Sequence, residues 1–241
     1  MLPLKDLNPT RRVPFITYAL IAVNVIVFLW TQFQTTAEVE DIFIQFSVVP
    51  INIAEDPLAL ETFLDILRSM FFHGGWLHLL GNMLYLWLFG DNVEDRMGAV
   101  LYLILYLYAG AVAAIAQVLM YPNSNIPLVG ASGAIAGILG SYLLLFPGVR
   151  VRGIVPIGPI LRFAEWPAWT VLGLWFVLQL IYVGLSILGG AEAGGGVAFF
   201  AHIGGFIAGL VFTWIFMRLV PQPPPRERRE VLYERAQRYR Y

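Results

Sequence analysis

Ser132, His202, His78 and Asn82 are polar residues set into apolar runs, and their types and spacing suit one chemistry. Ser132 stands in Gly130-Ala131-Ser132-Gly133 at the start of an apolar segment, and His202 lies near the start of another. A serine activated by a neutral imidazole is the minimum nucleophile and base for acyl transfer. Free backbone N–H groups at a helix start favour a developing oxyanion there. His78 and Asn82 are four apart, so they share one helical face and offer two neutral donors for the same oxyanion. Each residue also has a plainer reading. Serine is a favoured N-cap, and His or Asn in a membrane helix commonly bonds a neighbouring helix. No acidic residue falls at the depth of His202, so the pattern predicts a Ser-His dyad without a third member.

Other chemistries lose their residues. The chain has no cysteine, which removes thiol nucleophiles, disulfides and Cys-based metal sites. His73 and His78 are five apart, off the spacing of two helical ligands, and no third ligand accompanies them, so no metal site is expected.

The elements that must position these residues are membrane helices. Of 241 residues, 59% are hydrophobic and 13% charged, too apolar for a soluble domain of this length. Breaks at charges, Pro and Gly leave six apolar segments, near 14–33, 76–90, 99–120, 132–146, 168–188 and 200–220, all read as helices. The expected fold is therefore an all-α, six-transmembrane-helix bundle over 14–220. It is preceded by a cytoplasmic amino-terminal segment, 1–13, and followed by a Pro/Arg-rich cytoplasmic tail, 221–241. The first span reads as a retained helix and not a secretory signal, because its apolar run is long and no small-residue cleavage site follows. Residues 34–75 form a long acidic first loop, and 189–199, with Gly194-Gly195-Gly196, are expected to form a flexible cap.

Fourteen of the fifteen basic residues fall on one side of this arrangement and only Arg68 on the other. The bias places both termini and the 147–167 loop in the cytoplasm. The second, fourth and sixth helices then run the same way through the bilayer. Counting 1.5 Å per residue puts Ser132 about 22 Å above Pro147 and His202 about 24 Å above Arg218, at similar depth. The fourth span is short, which leaves room for water above Ser132. Gly130, Gly133, Gly137 and Gly140 on this helix and Gly205 and Gly209 on the sixth make small-residue stripes that let two backbones approach closely, a packing feature in its own right.

Taken together these motifs resemble the rhomboid family of intramembrane serine proteases across nearly the whole chain. The resemblance rests on Gly130-Ala131-Ser132-Gly133, on Ala201-His202 with Gly205 and Gly209, on His78 and Asn82, and on His73 with Glu94-x-Arg96-x-Gly98. It implies a serine endopeptidase with Ser132 as nucleophile and His202 as base, and an oxyanion site of His78, Asn82 and the Ser132 backbone N–H. The implied substrates are transmembrane segments of other proteins within the lipid bilayer, with no nucleic acid and no cofactor. The alternative is a rhomboid-like protein that binds transmembrane clients without cutting them. A small transporter is a third reading, against which no inverted repeat is visible. Two positions depart from the family pattern: Leu64-Asp65 where many relatives have Trp-Arg, and Ala136 where some have an aromatic residue. The short basic amino end resembles a compact prokaryotic form, with the inner membrane as the expected location.

Overall fold

The computed structural model describes residues 1–158, 160–189 and 197–221. The expected tail beyond Pro221 and most of the expected cap lie outside the described residues. The chain begins with strand β1 (Leu2–Asp6) and helix α1 (Phe15–Thr31). Three short helices follow, α2 (Thr36–Phe46), α3 (Pro50–Glu55) and α4 (Leu60–Ser69). Then come α5 (Trp76–Met97), α6 (Ala99–Met120), α7 (Ser132–Leu145), the strands β2 (Arg150–Ile157) and β3 (Ile160–Pro167), α8 (Ala168–Gly189) and α9 (Phe199–Leu219).

A helix occupies each of the six expected places, but only three of them have the length and apolarity expected of a span. Helices α6, α8 and α9 are long and apolar enough to cross a membrane. Helices α1 and α7 are apolar but shorter, at 17 and 14 residues. Helix α5 has the length, but it carries charges in its last two turns and runs seven residues past the expected end at Gly90. Two of those charges, Glu94 and Asp95, have partners at the start of α1 and on the residues before it. Glu94 Oε1 and Oε2 accept from the backbone N–H groups of Ile16 (2.9 Å) and Thr17 (2.8 Å), which Pro14 leaves without a side-chain cap. Glu94 thus serves as the anionic cap of α1. Asp95 accepts from the backbone N–H groups of Arg11 and Arg12, both at 3.1 Å. Gly98 then takes a φ of +81°, which turns the chain from α5 into α6.

The chain is not all-α. The 147–167 segment, expected as a loop, is an antiparallel hairpin, and β1 adds to it in the order β1-β2-β3. Its register runs from Arg150↔Pro167 to Ile157↔Ile160, and β1 joins with Asp6 opposite Val151 and Leu2 opposite Ile154. Val151 and Gly153 are buried while Arg150 and Arg152 are exposed, a period-2 alternation over a stretch too short to separate from a charged loop. The amino-terminal segment is therefore fixed in the fold. Asp6 accepts from the Tyr142 hydroxyl (2.9 Å) and from Asn92 Nδ2 (2.7 Å), tying β1 to α7 and α5. The first loop is likewise ordered into helices. Thr35 and Glu38 make a capping box on α2. The departure at Asp65 is absorbed by an ion pair with Arg68 (3.2 Å), which also pairs with Glu61 (3.1 Å).

Helix α7 is the centre of the molecule: every residue from 133 to 142 is buried. Against it lies α9, with α6 on the adjoining side. The contact is made backbone to backbone. A Cβ on Gly205 would strike the Gly133 carbonyl, one on Gly209 the Gly137 carbonyl, and one on Gly140 the Phe206 carbonyl. On the α6 side, a Cβ on Gly133 would meet Ala113 Cβ at 2.5 Å. The small-residue stripes read from the sequence are thus one seam, and its close approach explains the glycines.

Candidate active site

Ser132 is the first residue of α7. The N-cap is Ala131, whose backbone is already helical, and no side chain caps this helix, so the Ser132 hydroxyl is not spent on capping. Gly130 precedes it at a φ of +126°, a left-handed conformation that strains any other residue, and its N–H donates to the Ser69 carbonyl at 2.8 Å. A Cβ at Gly130 would also lie 2.7 Å from His78 Cε1 and Nε2 and 3.6 Å from Asn82 Nδ2. The glycine therefore lets the turn before Ser132 press directly against the donors of α5.

A cavity of about 870 Å³ opens at this point, lined by Ser132, His202, His78 and Asn82 together. Tyr85 and Trp175 add aromatic walls, and the segments around Gly74 and Pro127 form the remainder. Both Ser132 and His202 are half-buried. Asn82 is buried, and its Nδ2 has no hydrogen-bond partner among the described residues. A buried unpaired amide donor is costly unless something occupies it. His73 lies outside the cavity and stands edge-on behind His78, with ring centroids 5.0 Å apart. In that loop, burial, with a smaller push from His78, lowers the His73 imidazole to about 4, so it is neutral at pH 7. The described residues contain no cluster of metal-ligating side chains.

Sequence reasoning missed the residues that hold the imidazole. His202 Nδ1 lies 2.9 Å from Oε1 of Gln179, a buried side chain on α8. One turn earlier on the same helix, the Trp175 ring lies 5.9 Å from the imidazole, tilted by 40°, and Phe199 meets it edge-on at 6.4 Å. Ala136 offers no ring, as expected, and Trp175 lies on the imidazole instead. The available signal was a lone glutamine in an otherwise apolar span, where a polar residue marks an inward face.

Residues 61–219 match the rhomboid domain, and the chain belongs to the rhomboid family. It is an integral membrane protein. Over 171 residues it is 30% identical to Rhomboid protein 1, mitochondrial, of Saccharomyces cerevisiae, covering 68% of this chain and 44% of that one. RHOMBOID-like protein 4 of Arabidopsis thaliana is 31% identical over 157 residues, 63% of this chain and 34% of the relative. Rhomboid protease GluP of Bacillus subtilis is 31% identical over 130 residues, 54% and 24% of the two chains. The chain thus spans less than half the length of these relatives. They come from a fungus, a plant and a bacterium, so they do not favour the prokaryotic inner membrane over other membranes.

Proposed function

We propose that this protein is an intramembrane serine endopeptidase that cuts peptide bonds in or beside transmembrane segments of other membrane proteins. The observation that carries the reading is the uncapped Ser132 hydroxyl lining one cavity with His202, His78 and Asn82. Ser132 attacks the scissile carbonyl, and His202 takes its proton and returns it to the leaving amine. The oxyanion is received by the Ser132 backbone N–H, in the first turn of α7 where a helix supplies no acceptor of its own, with His78 and the Asn82 amide, unpartnered among the described residues, beside it. Membership in a family that contains a named protease supports the activity. The exposed apolar side chains along α8 support lipid on that side, from which a transmembrane substrate would approach.

In the same reading the six long helices form a six-span bundle over 14–220. The amino-terminal segment, the hairpin and the tail are cytoplasmic, and 34–75 faces outward. A cysteine placed at Glu40 in this Cys-free chain should react with an impermeant reagent only from the outer side. The activity is tested by incubating detergent-purified protein with a panel of transmembrane peptides and reading products by mass spectrometry. Cleavage should vanish in Ser132→Ala and His202→Ala, and a fluorophosphonate should label Ser132 alone. Binding of those peptides without cleavage by the unmutated chain would move the protein to the client-binding alternative.

A further inference from the structure

Gln179 is the one polar side chain among the described residues in hydrogen-bond reach of His202 Nδ1, and it comes from α8 and not from the α7–α9 seam. Helix α8 is the least enclosed of the three spanning helices: 22% of its span is buried, against 39% for α6 and for α9. Gln179 is nevertheless only 7% exposed. A buried amide in an apolar setting is expensive unless both of its ends are satisfied. Oε1 lies 2.9 Å from His202 Nδ1, while Nε2 has a long contact, 3.5 Å, with the Trp175 carbonyl.

That pairing fixes which way the amide points. Turned over, its oxygen would face the Trp175 carbonyl oxygen, two acceptors together, so the network assigns Oε1 to the imidazole. An oxygen has no proton to give, so Nδ1 of the neutral ring must carry the N–H and donate it. Nε2 is then the basic nitrogen, the tautomer a base needs if that atom serves Ser132. Trp175 and Gln179 are one helical turn apart and therefore act from the same face of α8. Trp175 lies beside the ring, tilted to it, and Gln179 sets its rotation and its proton.

We propose that Gln179 is a positioning residue that holds His202 in the Nδ1–H tautomer through a neutral hydrogen bond, so that alignment of the base depends on the seating of α8. This rests on the proteolytic reading of the site. An uncharged acceptor suits a membrane-buried place, where a carboxylate carries a much larger desolvation cost. The site is then a dyad in charge and a three-residue relay in geometry.

The test uses Gln179→Met, of similar length and without the acceptor, with Gln179→Leu as a second variant if the first does not fold. Gln179→Glu keeps an oxygen in place. Measured on transmembrane peptide with active sites titrated, kcat should fall about 10–100-fold in the apolar variant, the range seen when a group orienting a ligand from behind is removed. KM should stay within about twofold, because no contact to substrate is lost, and Gln179→Glu should recover part of the rate. Independently of turnover, ¹⁵N-histidine spectra of the full chain should show His202 protonated on Nδ1 and a mixture of tautomers in the apolar variant. An unchanged kcat per titrated site, or a tautomer ratio indifferent to residue 179, overturns the proposal. A lower melting temperature with normal kcat assigns Gln179 to packing and overturns it equally. Should the unmutated chain cleave nothing, the proteolytic reading fails while the spectra still decide the hydrogen bond.

Discussion

Two sides of His202 are built on different principles. On the α7 side, the helix that carries the imidazole meets the helix that carries Ser132 through glycine backbone, with no side chain between them at Gly133, Gly137, Gly205 and Gly209. On the α8 side, the ring meets side chains alone: Trp175 at 5.9 Å and Gln179 at 2.9 Å. Backbone contact cannot be adjusted by rotamers, so the seam fixes how far apart the two helices lie. Side-chain contact can be made and broken as α8 shifts. The difference teaches that in this protein the spacing of Ser132 and His202 is a property of the fold, whereas the orientation of the His202 ring is a property of one loosely enclosed helix.

The seam offers the largest effect. In Gly209→Ala the new Cβ falls on the Gly137 carbonyl oxygen, and the Gly137 carbonyl carbon and Cα are also only 2.6 and 2.7 Å away. All three are backbone, so nothing can rotate aside and the helices must part. Overpacking of this kind typically costs about 1–3 kcal/mol or more, and a 1 Å displacement of reacting groups costs about 10²-fold in rate. The expected outcome is a marked fall in melting temperature together with loss of fluorophosphonate labelling at Ser132. Unchanged melting and labelling would show that the seam is slack and dissolve the contrast with α8.

The donors on α5 come next. If the unpaired Asn82 amide waits for the oxyanion, Asn82→Ala should lower kcat about 10²–10³-fold, roughly 2.7–4 kcal/mol, with little change in KM. His78→Ala should behave in the same direction, with redundancy from the Ser132 N–H limiting the loss. Because the Asn82 Nδ2 has no partner to lose, its removal should not lower the melting temperature. A thermal defect with normal titrated kcat would assign both residues to packing.

Much of this site was legible in the sequence, and the parts that were not share a cause. Ser132, His202, His78 and Asn82, which line one cavity, could be grouped from the sequence because the charge bias reads their three helices in one direction, so that counting residues gives depth. The glycine stripe was legible as close packing for the same reason of helical period. Gln179 was not legible as an orienting partner because the usual partner of a catalytic imidazole is a carboxylate, whereas here a neutral amide on a different helix lies 2.9 Å from Nδ1. The extension of α5 past Gly90 was missed because Glu94 and Asp95 look like a helix end until the start of α1 and the residues before it supply their partners. The β2–β3 hairpin was missed because its alternation is too short to separate from a charged loop, and the addition of β1 was missed because β1 and β2 are more than a hundred residues apart, so the pairing of Asp6 with Val151 leaves no local trace.

That amino-terminal tie makes a smaller, pH-dependent prediction on the side away from the site. Burial, reinforced by Asp91, pushes the Asp6 carboxyl up to about 7, with the Tyr142 hydroxyl, the Asn8 backbone and Lys5 acting the other way. The folded carboxyl therefore holds its proton between about pH 4 and 7, where the unfolded one has released it. Its contribution to stability is fully present at low pH and declines as pH rises through 7. The melting temperature of the unmutated protein should fall, relative to Asp6→Asn, by a few degrees between pH 5 and 8. Parallel profiles for the two proteins would mean that Asp6 is solvated and that β1 is held by strand pairing alone.

The smallest effect tests the α8 half of the comparison directly. Gly173 and Gly184 lie in α8, and a Cβ built at either meets nothing within 4 Å, in contrast to every seam glycine of α7 and α9. Space is therefore not the reason for glycine at these positions. Replacing each with Ala should leave the fold intact and raise helix stability by about 0.5–1 kcal/mol, the usual difference between Gly and Ala within a helix. If α8 is a fixed wall, cleavage of a transmembrane substrate should be unchanged. If the seating of α8 has to yield for substrate to enter beside Trp175 and then reform the Gln179 contact, the stiffer helix should slow transmembrane substrates by a few fold. A short soluble peptide, which needs no lateral entry, should be cut at the normal rate. Equal slowing of both would point to the chemistry and not to entry. Destabilisation by either alanine would show that α8 is packed as tightly as the seam, and the division of labour between the two sides of His202 would have to be abandoned.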